Sequence, residues 1–191
     1  MDMLMQLWLP IVLSALLLFF ASSVIWMALP IHKNDYTDPK EKQHALHEAV
    51  KASGLAPGQY FIPFDNQGKD KSPEIAARME TGPYFLVQIM PGKPNMGMIL
   101  GLWLINLLII TFFVAYVAAY ALPAGAEYLS VFRVVGAAAL LAHAGNAFTQ
   151  IIWQAHPLHT LPGKLFDGVV YALLTAGTFA WLWPSGTVAV P

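Results

Sequence analysis

Four long apolar stretches dominate the pattern of hydrophobic and polar positions along the chain. They cover residues 4–29, 98–122, 128–153 and 165–183, and each is uncharged or nearly uncharged. Stretches of this length can cross the roughly 30 Å of hydrocarbon in a bilayer. Because a backbone in lipid has to satisfy its polar groups internally, each stretch is predicted to be a helix. We therefore predict an all-α membrane bundle of four transmembrane helices.

The polar region between the first two stretches is predicted to be a small α/β insertion outside the membrane. Asp38 and Ser72, each followed by a proline, are typical of helix N-termini. The two helices are expected to end near Ser53 and Gly82. Two segments rich in aromatic and branched side chains predict short strands, at residues 59–64 and 84–90. The predicted order of elements is therefore α, β, α, β.

These elements divide the chain into five predicted parts. The insertion separates the first transmembrane helix from the other three. The parts are a first transmembrane helix at 1–30, the α-β-α-β insertion at 31–96, a second transmembrane helix at 97–122, a third at 128–154 and a fourth at 165–184.

The third apolar stretch is unusual because it carries an imidazole and several amides. At 100° per residue, Asn146, Gln150 and Gln154 all fall within about 60° of His143 on a helix. Lipid tails cannot satisfy such groups, so this face is expected to point at other helices or at a cavity. Polar side chains of the second and fourth stretches are expected to join it. The predicted polar seam comprises Asn106, His143, Asn146, Gln150, Gln154, Asp167 and Tyr171.

The composition agrees with a membrane protein and narrows the classes of partner. Apolar residues make up 57% of the chain and charged residues 11%, with a formal net charge of −1. Near-neutral charge without a long basic run gives a nucleic-acid partner no electrostatic support. The chain has no cysteine, which excludes disulfides, thiolate metal sites and a cysteine nucleophile. The expected partners are the lipid bilayer and either other membrane subunits or further copies of the chain.

The cations predict an orientation. Lys33, Lys40, Lys42 and Lys93 flank the first two apolar stretches, and Lys164 precedes the fourth. With four spans, all of these lysines lie on one side of the membrane. The positive-inside rule then places the insertion 31–96 in the cytoplasm and both termini outside.

His143 also raises the hypothesis of a bound haem or pigment. It is the one histidine well inside an apolar stretch, and a bis-histidine haem within one chain would need a second buried imidazole. A haem or a chlorophyll-type pigment with a single protein ligand stays open as an alternative. His44 and His47, with Glu48, have helical spacing, but a solvated helix face is favoured over a metal site there. No metal site is predicted. The sequence leaves the cofactor unknown, with His143 as the candidate ligand and the absence of any cofactor favoured.

Transport of protons or small solutes is a second alternative that uses the same seam. No carboxylate lies at mid-depth, and the chain shows no internal repeat of the kind that secondary transporters carry. Neither Gly-x-Ser-x-Gly nor His-Glu-x-x-His occurs, so no catalytic residue is predicted and a non-enzymatic role is favoured. The leading hypothesis is a small accessory or scaffolding subunit of a larger membrane complex.

One resemblance supports this architecture. Residues 8–36 (WLPIVLSALLLFFASSVIWMALPIHKNDY) are followed by the short motifs IPF, KSPE and GP, and then by MPGKPNMG at 90–97. This order resembles uncharacterised bacterial inner-membrane proteins. The C-terminal three stretches are more loosely similar to a four-span domain of unknown function. The resemblance implies a multi-pass protein of the bacterial inner membrane and carries no activity.

Overall fold

The computed structural model describes residues 2–68 and 72–186. The chain forms two compact units. The first contains the residues up to Tyr36 together with those from Met96 onward, and the second is Thr37–Asn95. The long apolar helices all belong to the first unit.

The first apolar stretch forms two helices in succession. Helix α1 covers Asp2–Gln6 and helix α2 covers Trp8–Ala28, with Leu7 between them. Pro10 explains the break. Proline has no backbone N–H, so the helical hydrogen bond from residue 10 to the carbonyl oxygen of Gln6 cannot form. A 3₁₀ turn, Pro30–His32, follows α2.

Three helices in the described residues are long and apolar enough to cross a membrane: Trp8–Ala28, Met96–Ala121 and Tyr128–Trp153. This confirms the prediction of a membrane protein with several helical spans, although three such helices meet the criterion where four were predicted. The helix at Leu161–Trp181 is as long as the first of these, but Lys164 and Asp167 lie in its first two turns and make it less apolar. The helices of this unit after the insertion are α5 (Met96–Ala121), α6 (Tyr128–Ala144), α7 (Ala147–Trp153) and α8 (Leu161–Trp181).

The third apolar stretch is interrupted, where the sequence predicts one helix. Gly145 and Asn146 separate α6 from α7, although both keep right-handed helical backbone angles. A Cβ atom on Gly145 would overlap the carbonyl oxygen of Leu141. The close approach of that carbonyl therefore requires glycine at this point. Irregular backbone at membrane depth is tolerated where it lies inside the protein or lines a cavity.

Small residues allow α6 and α8 to pack closely along their lengths. A Cβ atom on Gly168 would lie 2.5 Å from the Cβ atom of Ala144, so no side chain fits there. Helices in lipid associate through such close packing, because apolar side chains gain little by leaving lipid for one another. Helix α2 packs on α5 and α8, and α5 packs on α6. The apolar core includes Leu18, Leu107, Val114, Val131, Val135, Ala139, Ala176 and Phe179.

The second unit has the predicted order of two helices and two strands. Helix α3 (Gln43–Ala52) precedes strand β1 (Gly58–Ile62), and helix α4 (Pro73–Thr81) precedes strand β2 (Phe85–Ile89). The strands are antiparallel, with Gly58 opposite Ile89 and Ile62 opposite Phe85.

The two predicted helix starts in this unit have different outcomes. The Ser72 hydroxyl accepts a hydrogen bond from the backbone N–H of Ile75 at 3.3 Å, so α4 begins where the sequence predicts. Asp38 accepts from the N–H of Lys40 at 2.9 Å, but Lys40 has a φ of 53° and a 3₁₀ turn follows it. Helix α3 therefore begins later than predicted, because the left-handed conformation of Lys40 prevents an α-helix from starting at Pro39.

Candidate functional site

A buried histidine joins the end of the first long helix to the start of the last one. His32 closes the 3₁₀ turn after α2, and it is 7% exposed. Its Nδ1 atom lies 2.8 Å from Oδ2 of Asp35, and its Nε2 atom lies 3.2 Å from Oδ1 of Asp167 in α8. Since both ring nitrogens face carboxylate oxygens, the geometry suits a protonated imidazolium that donates on both sides.

Trp26 completes this cluster. Its indole Nε1 donates to Oδ2 of Asp167 at 3.2 Å, so both carboxylate oxygens of Asp167 have a partner. The indole and the His32 ring are stacked, with centroids 3.9 Å apart and planes 2° from parallel. Gly163 lets α8 approach, because a Cβ atom there would lie 3.0 Å from Cε1 of His32. We call Trp26, His32, Asp35 and Asp167 the histidine cluster.

The pKa of His32 reflects two opposed effects. Burial lowers the pKa of the imidazole. Hydrogen bonds to Asp35 and Asp167, together with the negative charges of these carboxylates, more than offset the effect of burial. The net pKa of His32 is therefore raised above its ordinary value of 6.5.

Next to this cluster, a polar cavity of about 200 Å³ opens between the helices. Residues from the end of α2, from α5, from both sides of the Gly145–Asn146 interruption and from α8 line it. The polar and aromatic side chains around it are those of Trp26, Trp103, His143, Asn146, Gln150, Lys164, Asp167 and Tyr171. We call this space the polar cavity.

His143, one of the residues that line the cavity, has an unsatisfied ring nitrogen. Its Nε2 atom is buried and has no hydrogen-bond partner within residues 2–68 and 72–186. The ring meets the edge of Tyr171, with centroids 5.3 Å apart. A buried polar atom without a partner costs about 1–3 kcal/mol, so this nitrogen lowers the stability of the bundle.

Lys164 brings a positive charge to the same space. Its Nζ atom donates to Oε1 of Gln150, which ties the first turn of α8 to α7. Asp167, the acidic residue of the wall, is already held by His32 and Trp26. Among the charged groups that line the cavity, the ammonium group of Lys164 is therefore the one that lies outside the histidine cluster.

The structure brings most of the predicted seam together but not all of it. His143, Asn146, Gln150, Asp167 and Tyr171 all line the polar cavity. Gln154 follows the end of α7 and is exposed. The prediction that Asn106 joins the seam is wrong, because its side chain is exposed and faces outward from the bundle. The reason is that α5 buries a different side, made of Leu107, Thr111, Val114, Ala115 and Ala118.

Several residues of the site were not in the predicted seam. His32 and Asp35 could have been found from the sequence, because an imidazole and a carboxylate three residues apart follow the proline that ends a span and can pair with each other. Trp103 has no such signal in the sequence, although in the structure its indole N–H donates to the hydroxyl of Ser22 in α2 at 3.0 Å. Nothing in the spacing along the chain identifies Asp167 as the partner of His32.

An apolar groove of about 640 Å³ lies between α2 and α5. Trp26 and Trp103 line both this groove and the polar cavity, so the two spaces adjoin. The other residues of the apolar groove are Ser22, Ser23, Met27, Met96, Ile99 and Leu100.

Metal-binding side chains do not form a site in the part of the chain that the structure describes. Within it, no three histidine or acidic side chains are arranged to hold a metal ion. His47 lies 3.2 Å from the carboxylate of Glu48, on the exposed surface of α3. The chain matches no protein-family model, no curated protein and no solved structure. A function for this chain therefore has to come from its own geometry and charges.

Proposed function

We propose that this chain is an accessory or scaffolding subunit of a larger membrane complex, and that α5 binds a helix of a different subunit. Asn106 is the observation that carries the proposal. It lies ten residues into α5, or about 15 Å along the helix from Met96 at 1.5 Å per residue, and its side chain is exposed. This depth corresponds to the middle of a bilayer rather than to its surface.

The surroundings of Asn106 are apolar. Leu102, Ile109 and Phe113 occupy the same outward stripe of α5 and are 57%, 51% and 60% exposed. Within the described residues, the amide of Asn106 has no hydrogen-bond partner. Lipid tails offer it none, whereas an amide or hydroxyl on a neighbouring helix would satisfy it and contribute about 1–2 kcal/mol. We call this stripe the Asn106 face.

The full topology belongs to the same proposal. Helix α8 packs along α6 and on α2, as a fourth span of the bundle would. Lys164 and Asp167 then lie at the boundary of the membrane rather than within it. The lysines around the insertion support its cytoplasmic side, and the resemblance to bacterial inner-membrane proteins supports that membrane.

The other two hypotheses have less support. The polar cavity, at about 200 Å³, lies below the roughly 300–1,000 Å³ typical of cofactor sites, so a haem on His143 would require the helices to separate. A transport path would have to continue through the bundle beyond the cavity. There, Val114, Val135 and Phe179 pack in an apolar core.

Cysteine cross-linking tests the proposal, because the chain contains no cysteine of its own. Leu102→Cys and Ile109→Cys place thiols on the Asn106 face, and Val12→Cys and Leu16→Cys place them on the exposed side of α2 as controls. In native membranes, the α5 variants are expected to form an adduct with another polypeptide, and the α2 variants are not.

Asn106→Leu provides the second arm of the experiment. This substitution should lower the yield of the cross-linked adduct about fivefold or more, from the 1–2 kcal/mol of the lost hydrogen bond. Ile105→Leu, a neighbouring exposed position on the same helix, should leave the yield unchanged. Adducts with a second copy of this chain alone, or migration solely as a monomer in mild detergent, would overturn the accessory role.

A further inference from the structure

We propose that the polar cavity and the apolar groove together bind one anionic phospholipid, with the phosphate in the cavity and an acyl chain in the groove. Neither space alone has the shape of a lipid. Trp26 and Trp103 line both spaces, so a polar head in the cavity would lie next to an apolar tail in the groove. This inference does not depend on the Asn106 face.

The wall of the cavity favours an anionic head group. Lys164 supplies an ammonium group, and the amide of Asn146 supplies further hydrogen-bond donors. The carboxylate of Asp167 repels an anion less than an unpaired carboxylate would, because His32 and Trp26 donate to its two oxygens.

The other charged groups near the cavity are either paired or do not line it. Asp35 is held by His32 in the turn after α2, and it does not line the cavity. Helix α5 contributes Trp103 and no charge, while α7 contributes the neutral Gln150. Within the described wall, Lys164 is therefore the residue that selects for a negatively charged head group.

The apolar groove fits an acyl chain better than a polar ligand. Its volume of about 640 Å³ lies in the range of small-molecule sites, and its surface is almost entirely apolar. It opens on the outer surface of two helices that are long enough to span the membrane. A lipid can therefore enter from the bilayer, and Trp26, near the end of α2, is of the type that lies at head-group depth.

Native mass spectrometry of the full chain in detergent tests the proposal. The protein is mixed with phosphatidylglycerol, with phosphatidylcholine or with inorganic phosphate, and the bound fraction is measured. Phosphatidylglycerol should bind at least about tenfold more tightly than phosphatidylcholine, because both carry the same phosphate but the choline group would bring a second positive charge close to Lys164. Equal binding of the two lipids, or binding of inorganic phosphate as tightly as the lipid, would overturn the proposal.

Two pairs of variants separate the head group from the tail. Lys164→Gln should weaken phosphatidylglycerol binding about tenfold, whereas Lys93→Gln, which replaces an exposed lysine that is not among the residues lining the cavity, should not. Ile99→Trp fills the apolar groove and should also weaken binding, while Ile105→Trp lies on the same helix outside it. Each variant is first compared with the unmodified protein by gel filtration. Unchanged binding in well-folded Lys164→Gln or Ile99→Trp would contradict the proposal.

Discussion

His32 and Asp167 are 135 residues apart in the chain, yet their side chains meet at 3.2 Å. This contact connects the turn after α2 to the first turns of α8. The same carboxylate accepts the indole N–H of Trp26, and Gly163 leaves room for the His32 ring. The wall of the polar cavity thus depends on a cluster that holds the first and last long helices together.

Replacing Asp167 by alanine should strongly destabilise the bundle. It leaves the Nε2 of the buried His32 and the indole N–H of Trp26 without their acceptor. Breaking a buried charge pair in this way costs about 3–5 kcal/mol. Unfolding in mixed micelles with increasing SDS would measure the change.

A matched acid elsewhere provides the control for Asp167→Ala. Glu127 is exposed and makes no side-chain cap bond at the start of α6. Glu127→Ala should therefore change the free energy of unfolding by less than about 1 kcal/mol. Similar effects of the two substitutions would show that the histidine cluster contributes little.

The stability of the bundle should fall as the pH rises through the pKa of His32. The pKa is raised in the folded protein, so the contribution of His32 is complete below the unfolded value of 6.5 and is lost as pH passes the folded pKa. Free energies of unfolding measured between pH 6 and pH 8.5 would show this decline.

A substitution at His32 isolates its contribution to this pH profile. His32→Gln keeps a polar side chain but removes the ionisation, and the fall in stability over this pH range should become shallower. His156→Gln replaces an exposed histidine and serves as control. An identical pH profile for the unmodified protein and His32→Gln would contradict the assignment of a raised pKa.

Gly168→Ala should separate α6 from α8. The new methyl group would lie 2.5 Å from the Cβ atom of Ala144, and overpacking of this kind costs about 1–3 kcal/mol. Combining it with Ala144→Gly should restore part of the lost stability, because it removes one of the two clashing atoms. Thermal unfolding of the single and double variants would measure both effects.

Gly177 offers the control on the same helix. A Cβ atom there would meet nothing within 4 Å. Gly177→Ala should therefore leave the bundle intact and could raise its stability by up to about 1 kcal/mol through helix propensity. A comparable loss in Gly168→Ala and Gly177→Ala would mean that close packing against Ala144 is unimportant.

Removing the imidazole of His143 should stabilise the delipidated protein. Its buried Nε2 has no partner among the described residues, so His143→Leu removes a desolvated polar atom, for a gain of about 1 kcal/mol. His159→Leu is the contrasting variant, because Nε2 of His159 donates to the backbone oxygen of Asn34 at 3.0 Å. A marked loss of stability in His143→Leu would show that the imidazole has a structural partner.

The prediction of helices from the sequence works where one physical requirement dominates. Apolar length alone indicates the membrane helices, and Ser72 before Pro73 indicates the start of α4. The polar stripe around His143 is visible because its period matches a helix. Each of these signals is local in the chain.

The remaining features depend on contacts that no local pattern encodes. Asn106 faces outward because α6 and α2 pack on the opposite side of α5, which helical spacing alone cannot reveal. The pairing of His32 with Asp167 requires knowledge of which helices are neighbours. The interruption at Gly145 depends on the approach of one carbonyl oxygen, and isolated glycines are common within membrane helices.

The separation of His32 from Asp167 has a consequence for the synthesis of the protein. Ribosomes add about 5–20 residues per second, so 135 residues correspond to roughly 7–27 s of translation. During that interval the first helix is already made, but its buried histidine lacks the carboxylate that arrives with α8. Thr37–Asn95 is complete well before then. The contact between α2 and α8 can therefore form only after α8 has been made.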